Sequence, residues 1–169
     1  MDLCTGTGNL ALALKYHYPN ARVIGVDVSQ DAVALANENA TRLGLDVNFR
    51  LGDLFSVLPE DLRDGVDLIV SNPPYVAEDE YRALPTEIVD HEPRSALVAG
   101  NQGLDVLARI AEGTSVWLRA GGAVVCEIGE TQGDACLELF AAFGPEIRQD
   151  LTGRDRFVLG CAPQAANLH

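Results

Sequence analysis

Asp2-Leu3-Cys4-Thr5-Gly6-Thr7-Gly8-Asn9, followed by Leu10-Ala11-Leu12-Ala13-Leu14, is the stretch from which the fold of this chain is read. Met1 to Cys4 reads as the end of a strand, Thr5 to Asn9 as a glycine-rich turn, and the run from Leu10 as a helix opening in strong helix formers. Strand, glycine turn and helix make the first half of a nucleotide-binding βα unit. Glycine lets backbone approach a ligand closely, and a helix's first turn offers free N–H groups. A lone Gly-x-Gly also occurs in plain tight turns, so its weight depends on what stands at fixed distances beyond it.

Val23-Ile24-Gly25-Val26-Asp27 is a second strand, ending in an acidic residue 19 positions after Gly8. That is where a carboxylate holds a ribose hydroxyl pair. Ser29 then suits the N-cap of a helix from Asp31 to Leu43, with Ala32, Leu35, Ala36 and Leu43 on its core side. A third strand, Val47 to Leu51, leads into Gly52-Asp53-Leu54-Phe55. Asp53 is placed for the exocyclic amine of an adenine and Leu54 for its ring face; without Asp27 and the glycines, Asp53 would read as a turn or cap residue.

The apolar run Val66 to Val70 is a buried strand, and it delivers Ser71-Asn72-Pro73-Pro74-Tyr75 at its carboxyl end, where open α/β sheets bind ligands. The prolines fix φ and remove two backbone donors. Acceptors remain, the Asn72 side-chain oxygen and the Pro73 carbonyl, beside the aromatic face of Tyr75. This set suits a planar NH2-bearing group, which brings two N–H donors and a π surface. A Pro-Pro turn capping a strand is the plainer reading of these residues in isolation.

The 169 residues, 47% of them hydrophobic, fit one domain with a real core. Net charge is −13, with 12 basic residues dispersed among 25 acidic ones. A duplex-binding surface needs clustered Lys and Arg, so the balance argues against direct nucleic-acid binding. No apolar stretch approaches the roughly 18 residues of a membrane span, and no basic-then-apolar opening is present, so a cytoplasmic protein is expected. Cys4, Cys126, Cys136 and Cys161 show no C-x-x-C spacing, and His17, His91 and His169 make no ligand pattern with them. Buried free thiols are expected, with neither a disulfide frame nor a metal site.

Asp2-x-x-x-Gly6-x-Gly8, Asp27, Asp53 and Asn72-Pro73-Pro74-Tyr75, in this order, resemble class I S-adenosylmethionine-dependent methyltransferases that modify amino groups. His91-Glu92-Pro93-Arg94-Ser95-Ala96-Leu97, Gly103-Leu104-Asp105, Cys126-Glu127-Ile128-Gly129 with Gln132-Gly133, and Asp150-Leu151-x-Gly153-Arg154-Asp155-Arg156 are similar to segments of the HemK/PrmC family of protein glutamine methyltransferases. The resemblance runs from Asp2 to about Gly160.

The resemblance implies a Rossmann-like α/β fold: a mostly parallel seven-stranded sheet, helices on both faces and a C-terminal antiparallel hairpin. It implies S-adenosyl-L-methionine held by Asp2, Thr5, Gly6, Thr7, Gly8, Asp27, Val28, Asp53, Leu54 and Asn72, with Asn72, Pro73, Pro74 and Tyr75 catalytic. The implied substrate is a glutamine side-chain amide, in the Gly-Gly-Gln loop of class I peptide chain release factors. Position 4 is Cys where such enzymes usually carry Gly, so a slightly more open turn is expected there; His91 stands where the family tends to have Phe. The family's N-terminal helical domain, hairpin and Arg-Pro-x-Thr-Glu segment are not in this sequence. Residues 1–161 therefore read as the catalytic domain alone, its first strand cut to a stub, and 162–169 as a flexible tail.

Helix Gly103 to Leu118 presents Leu104, Leu107, Ile110 and Ala111. Gly121-Gly122 is expected to end it before strand Ala123 to Ile128. Helix Thr131 to Phe143 and a hairpin of Glu146 to Leu151 with Arg156 to Gly160 follow. Ala77 to Asn101 reads as a long loop with a short helix, placed to cover the substrate pocket. Glu127 reads equally well as a site residue or a surface carboxylate. Two other functions fit parts of the chain: a nucleic-acid amino methyltransferase (adenine N6 or guanine N2), and an NAD-binding module through Gly6-x-Gly8-x-x-Ala11 and Asp27. The NAD reading leaves Asn72 to Tyr75 without a role.

Overall fold

Seven strands form a single sheet in the order β3-β2-β1-β4-β5-β7-β6. A computed structural model describes residues 1–82, 94–100 and 102–164. The strands are β1 (Asp2–Leu3), β2 (Ile24–Asp27), β3 (Asn48–Leu51), β4 (Val66–Ser71), β5 (Leu118–Glu127), β6 (Glu146–Gln149) and β7 (Asp155–Cys161). The helices are α1 (Asn9–His17), α2 (Gln30–Leu43), α3 (Glu78–Tyr81), α4 (Arg94–Leu97), α5 (Asp105–Trp117) and α6 (Gly133–Leu139). β1 to β5 run parallel, while β7 pairs antiparallel with both β5 and β6. The expected Rossmann-like architecture and its terminal hairpin are thus both present.

The connections explain the layering. Crossovers through α1 and α2 step from β1 outward to β3, and the crossover through α5 steps the other way, from β4 to β5. Crossovers of one hand travelling in opposite directions put their helices on opposite faces of the sheet. The direction reverses between β1 and β4, and ligands of open α/β sheets bind in the crevice at that reversal.

The core lies between sheet and helices. Leu3, Val26, Ile69, Val124 and Val158 from the strands are buried with Leu107 and Ile110 of α5, Cys136 of α6 and Phe140. On α2 the expectation needs correcting. Ala36 is buried as expected and Ala40 joins it, whereas Leu35 and Leu43 are 40% and 60% exposed. Small side chains win that face because the helix lies close over the glycine turn. A Cβ on Gly8 would stand 3.2 Å from the Ala36 Cβ and 2.8 Å from the Phe49 ring, and Gly8 itself has φ +87°. Ser29 caps α2 as expected, its hydroxyl accepting from the Ala32 N–H at 3.2 Å.

Three further expectations are revised. Gly121-Gly122 does not separate helix from strand, because α5 passes directly into β5 at Leu118. The two glycines sit instead inside β5, where its register with β4 shifts between Val66 and Leu68. Ala162 is not free tail: Gly121 N–H donates to its carbonyl, and its own N–H donates to the Gly122 carbonyl. Residues 165–169 of the expected tail lie outside the described residues. Cys126 and Cys136 are buried thiols, but Cys4 is half-buried and Cys161, on the last residue of β7, is exposed.

Among the described residues no helix is long and apolar enough to cross a membrane.

Candidate active site at the carboxyl edge of the sheet

Strand register assembles the site. Leu3 stands opposite both Val26 and Ser71, Asp27 opposite Leu51, and Ser71 opposite Cys126. The residues that leave these strands, Thr5 to Gly8, Asp27, Asp53, Asn72 and Glu127, therefore line one edge. The Ser71 hydroxyl donates to the Leu3 carbonyl at 2.7 Å in a buried bond, pinning the start of Asn-Pro-Pro-Tyr to the start of the glycine turn. Sequence reasoning named Ser71 at the head of this stretch but gave it no role; its signal was a hydroxyl at the end of the strand.

Asp2 is 1% exposed and lies beneath the turn. Its Oδ2 accepts from the Thr5 hydroxyl at 2.5 Å and from the Ala11 N–H at 3.0 Å, in the first turn of α1. Its Oδ1 is buried without a partner among the described residues. Burial pushes the carboxyl up to about 6, against the opposing pull of those two hydrogen bonds. Asp27 braces the turn from the other side: Oδ2 accepts from the Gly6 N–H at 2.8 Å and Oδ1 from the Ser29 N–H at 2.9 Å. Thr5 N–H donates to the Val26 carbonyl, and the Thr7 carbonyl accepts from the Asn39 amide, so both threonines are anchored through the main chain.

Cys4 enters the turn at φ +55°, in the left-handed region. A side chain there costs about 1–2 kcal/mol, which is why glycine is common at such a place. The turn is not opened by the cysteine, since the backbone takes up the glycine conformation regardless. Burial, reinforced by the Asp27 carboxylate, raises the Cys4 thiol to about 12 and keeps it protonated.

Beyond Asp27, Val28 is 62% exposed, an apolar side chain standing open beside a carboxylate. Asp53 leaves β3 and pairs with Arg109 of α5 at 2.7 Å, a contact that nothing in the sequence signalled. Both side chains are about half exposed, so the pair is weak. Leu54 is 6% exposed and belongs to the core.

Asn72 is exposed, Pro73 fully buried, and Pro74 and Tyr75 half-buried. The buried ring of Pro73 anchors the segment while Asn72 stays exposed. Tyr75 is held from several directions. Its hydroxyl donates to Glu127 Oε1 at 3.2 Å, and its carbonyl accepts from the Gln132 amide at 2.9 Å. The same Gln132 nitrogen donates to the Gln102 carbonyl at 3.2 Å, and its oxygen accepts from the Gly129 N–H at 2.8 Å. Glu127 accordingly stands against the Tyr75 hydroxyl at this corner of the edge.

Gly103 completes this packing at φ +67°, where a Cβ would fall 2.0 Å from the Tyr75 carbonyl oxygen. Gly103→Ala is expected to cost roughly 2–5 kcal/mol, combining left-handed strain with overpacking. Urea unfolding midpoints at neutral pH measure it, and an unchanged midpoint would disprove the close approach.

The long segment after the motif begins and ends against it. Val76 pairs in parallel with Val98, and the Glu78 N–H donates to the Gly100 carbonyl. Two short helices, α3 and α4, stand where one was expected, joined by the Arg94–Glu78 ion pair. Residues 83–93 and 101, with the His91-Glu92-Pro93 part of the family segment, lie outside the described residues.

The residues along this edge fit a nucleoside-bearing cofactor. They are rich in acceptors: Asp2 with an orphaned oxygen, Asp27, and Asp53, beside the open apolar Val28. Such a set suits hydroxyl and amino groups and an adenine face. It suits a dinucleotide's pyrophosphate poorly, because the Asp2 carboxylate already occupies an N–H of the α1 first turn, where the phosphates would need to bind.

An open sheet in this strand order, with its crevice at the reversal point between a carboxylate-flanked glycine turn and Asn-Pro-Pro-Tyr, is the Rossmann-like fold of the methyltransferases. The chain belongs to the methyltransferase-domain family: the family model described as "Methyltransferase domain" matches residues 1–110. Among curated relatives, it is 44% identical over 170 residues to the release factor glutamine methyltransferase of Cereibacter sphaeroides, an alignment covering 98% of this chain and 60% of that protein. It is 44% identical over 133 residues to the ribosomal protein uL3 glutamine methyltransferase of Xanthomonas campestris pv. campestris, covering 78% of this chain and 42% of that one. The chain thus spans about three-fifths or less of the curated relatives it matches. Among solved structures, the ribosomal protein L11 methylase of Lactobacillus delbrueckii subsp. bulgaricus superposes with a TM-score of 0.65 at 21% identity, covering 95% of this chain and 68% of that one. The 16S rRNA N2 G1207 methyltransferase RsmC of T. thermophilus, solved with AdoMet and guanosine, gives 0.65 at 21%, covering 95% and 36%.

Proposed function

We propose that this chain is the catalytic domain of a protein glutamine methyltransferase, acting in the cytoplasm on the Gly-Gly-Gln loop of class I release factors. The observation that carries the reading is the buried Ser71–Leu3 hydrogen bond, which sets the amide-binding motif directly beside the glycine turn. The 44% identity to a release factor glutamine methyltransferase supports the substrate class. A glutamine of a ribosomal protein is the second reading, favoured by the 44% identity to the uL3 enzyme.

S-adenosyl-L-methionine, when bound, supplies a methyl group activated by its sulfonium. Asp27 would hold the ribose hydroxyls, Asp53 the adenine amine with Val28 against the ring, and the free Asp2 oxygen an amino group nearby. The amide nitrogen of glutamine is a poor nucleophile, its lone pair being delocalised into the carbonyl. Asn72 Oδ1 and the Pro73 carbonyl accept its two N–H bonds, which fixes the direction of the lone pair, while Tyr75 packs on the flat amide. As the new N–C bond forms and the methyl–sulfur bond breaks, its electron pair leaving on sulfur as a neutral thioether, positive charge would grow on nitrogen opposite these two fixed dipoles, and positioning with electrostatic stabilisation carries the catalysis. The amide proton then leaves to water, so no general base is required of the chain.

Calorimetric titration separates the readings. S-adenosylmethionine is expected to bind, NAD not to bind, and Asp27→Ala to weaken the former by at least tenfold. Binding of NAD alone would sink the proposal. Transfer of labelled methyl to a release factor, lost when the loop Gln is replaced by Ala, identifies the acceptor; labelling of ribosomal protein in its place favours the second reading.

A further inference from the structure

Glu127 and Arg156 take no part in the transfer chemistry above, yet Glu127 holds the hydroxyl of the ring on which the substrate amide would rest, and Arg156 pairs with Glu127. β4 and β5 pair Ser71 with Cys126, so Glu127 leaves the sheet level with Asn72. β7 runs antiparallel and sets Phe157 opposite Glu127, while the Ile128 N–H donates to the Arg156 carbonyl at 2.9 Å. That turn of the ladder brings Arg156 round to the same corner. Arg156 Nη1 lies 3.9 Å from Glu127 Oε1, the very oxygen that accepts the Tyr75 hydroxyl, and its Nε lies 3.5 Å from Asp150 Oδ2. The side chains of Glu127, Arg156 and Asp150 are all three-quarters covered, in contrast to ion pairs such as Arg154–Glu130, whose side chains are more than half exposed.

The torsion that tilts a tyrosine ring is broad, so a ring held only at its backbone swings. Here the backbone end of Tyr75 is fixed by Gln132 and the hydroxyl end by Glu127. An ionised acceptor makes the stronger bond, and a partly covered carboxylate is tolerable only with a cation beside it. We propose that Glu127 is a positioning residue for methyl transfer, fixing the plane of the Tyr75 ring against the acceptor amide, and that Arg156, steadied by Asp150, aims the Glu127 carboxylate. The transfer half of this inference rests on the methyltransferase reading; the ring contact does not.

The test reads the ring directly. In protein labelled with tyrosine carrying carbon-13 at Cζ, the four tyrosines give separate signals, and Tyr75 is the one lost in Tyr75→Phe. Burial first and Glu127 second raise the Tyr75 phenol above its usual value, and Arg156 opposes them. Glu127→Gln is therefore expected to lower its titration midpoint and Arg156→Gln to raise it. Collapse of the fold would return both variants to the ordinary tyrosine value, so opposite shifts exclude that explanation. With cofactor affinity unchanged, kcat of Glu127→Gln on the glutamine substrate should fall by about tenfold, and Glu127→Asp should recover part of it.

A Tyr75 midpoint that moves in neither variant overturns the contact, whatever the activity. Midpoints that move while kcat of Glu127→Gln stays at the parent value overturn the positioning role. Opposite shifts in a chain that binds no S-adenosylmethionine support the contact and strike the proposed function instead.

Discussion

Asn72→Ala is expected to bind S-adenosylmethionine within about twofold of the parent chain and to lose methyl transfer by roughly 10²–10³-fold in kcat, the scale of removing one preorganised dipole from a charge-developing site. The separation follows from position. Asn72 is exposed at the end of β4, whereas the residues bracing the glycine turn, Asp2 and Asp27, make their bonds without it. Removing its oxygen leaves the Pro73 carbonyl as the sole acceptor, so the amide can rotate and present its nitrogen off-line. A misplacement of about 1 Å costs on the order of 10²-fold by itself. The fold does not depend on Asn72, since Pro73 carries the burial and the Ser71 hydroxyl the strand tie. Calorimetry for the cofactor and single-turnover label transfer for kcat check it. Equal loss of binding and transfer would move Asn72 from the acceptor site to the cofactor site.

The second large effect is on stability, and it runs opposite to the usual behaviour of a carboxylate. Asp2 has a folded value of about 6 against an ordinary 3.8, burial being the main cause. Between these values the folded protein keeps a proton that the unfolded chain has already released. Stability therefore falls as pH rises through that window, by about 3 kcal/mol for a single group at about 1.4 kcal/mol per unit. Asp2→Asn retains an oxygen to accept from Thr5 and Ala11 while removing the ionisation. Its stability relative to the parent should climb from pH 4 to 6 and level off above pH 6.5 at a gain of up to about 3 kcal/mol.

Urea unfolding at pH 4.5, 6 and 7.5 gives the difference. Parallel curves for the two proteins would show that Asp2 ionises freely in the fold. Groups such as Asp150, held down to about 2 chiefly by the Thr152 hydroxyl, contribute the same to both chains and cancel. If the gain is accompanied by weaker S-adenosylmethionine binding, the buried charge is retained for the ligand at the expense of the fold.

Much of this architecture was legible in the residues. β-branched runs closed by glycine, acid or proline marked the strands, and the 19-residue interval from Gly8 to Asp27 marked one βα repeat. These signals are local. Apolar period and turn chemistry act over a few residues, and a βα unit has a near-constant length, so positions along a sheet edge follow from distances along the chain. Helix α2 marks where local reading fails: Leu35 and Leu43, expected on the core side, stand open, while Ala36, against the Gly8 turn, and Ala40 are buried.

The partnerships within the site belong to the tertiary structure alone. Tyr75 and Glu127 are 52 positions apart, Asp53 and Arg109 56, and Ser71 and Leu3 68. Each pair meets only because strand register sets those residues level, and register is decided by how all seven strands bury their faces together. Asp2 could be read from the sequence as a candidate, but its orphaned oxygen and its protonation near pH 6 come from the surrounding core. The chain order carries the chemistry to one edge; packing decides which groups there are paired, which are buried, and which are left open for a ligand.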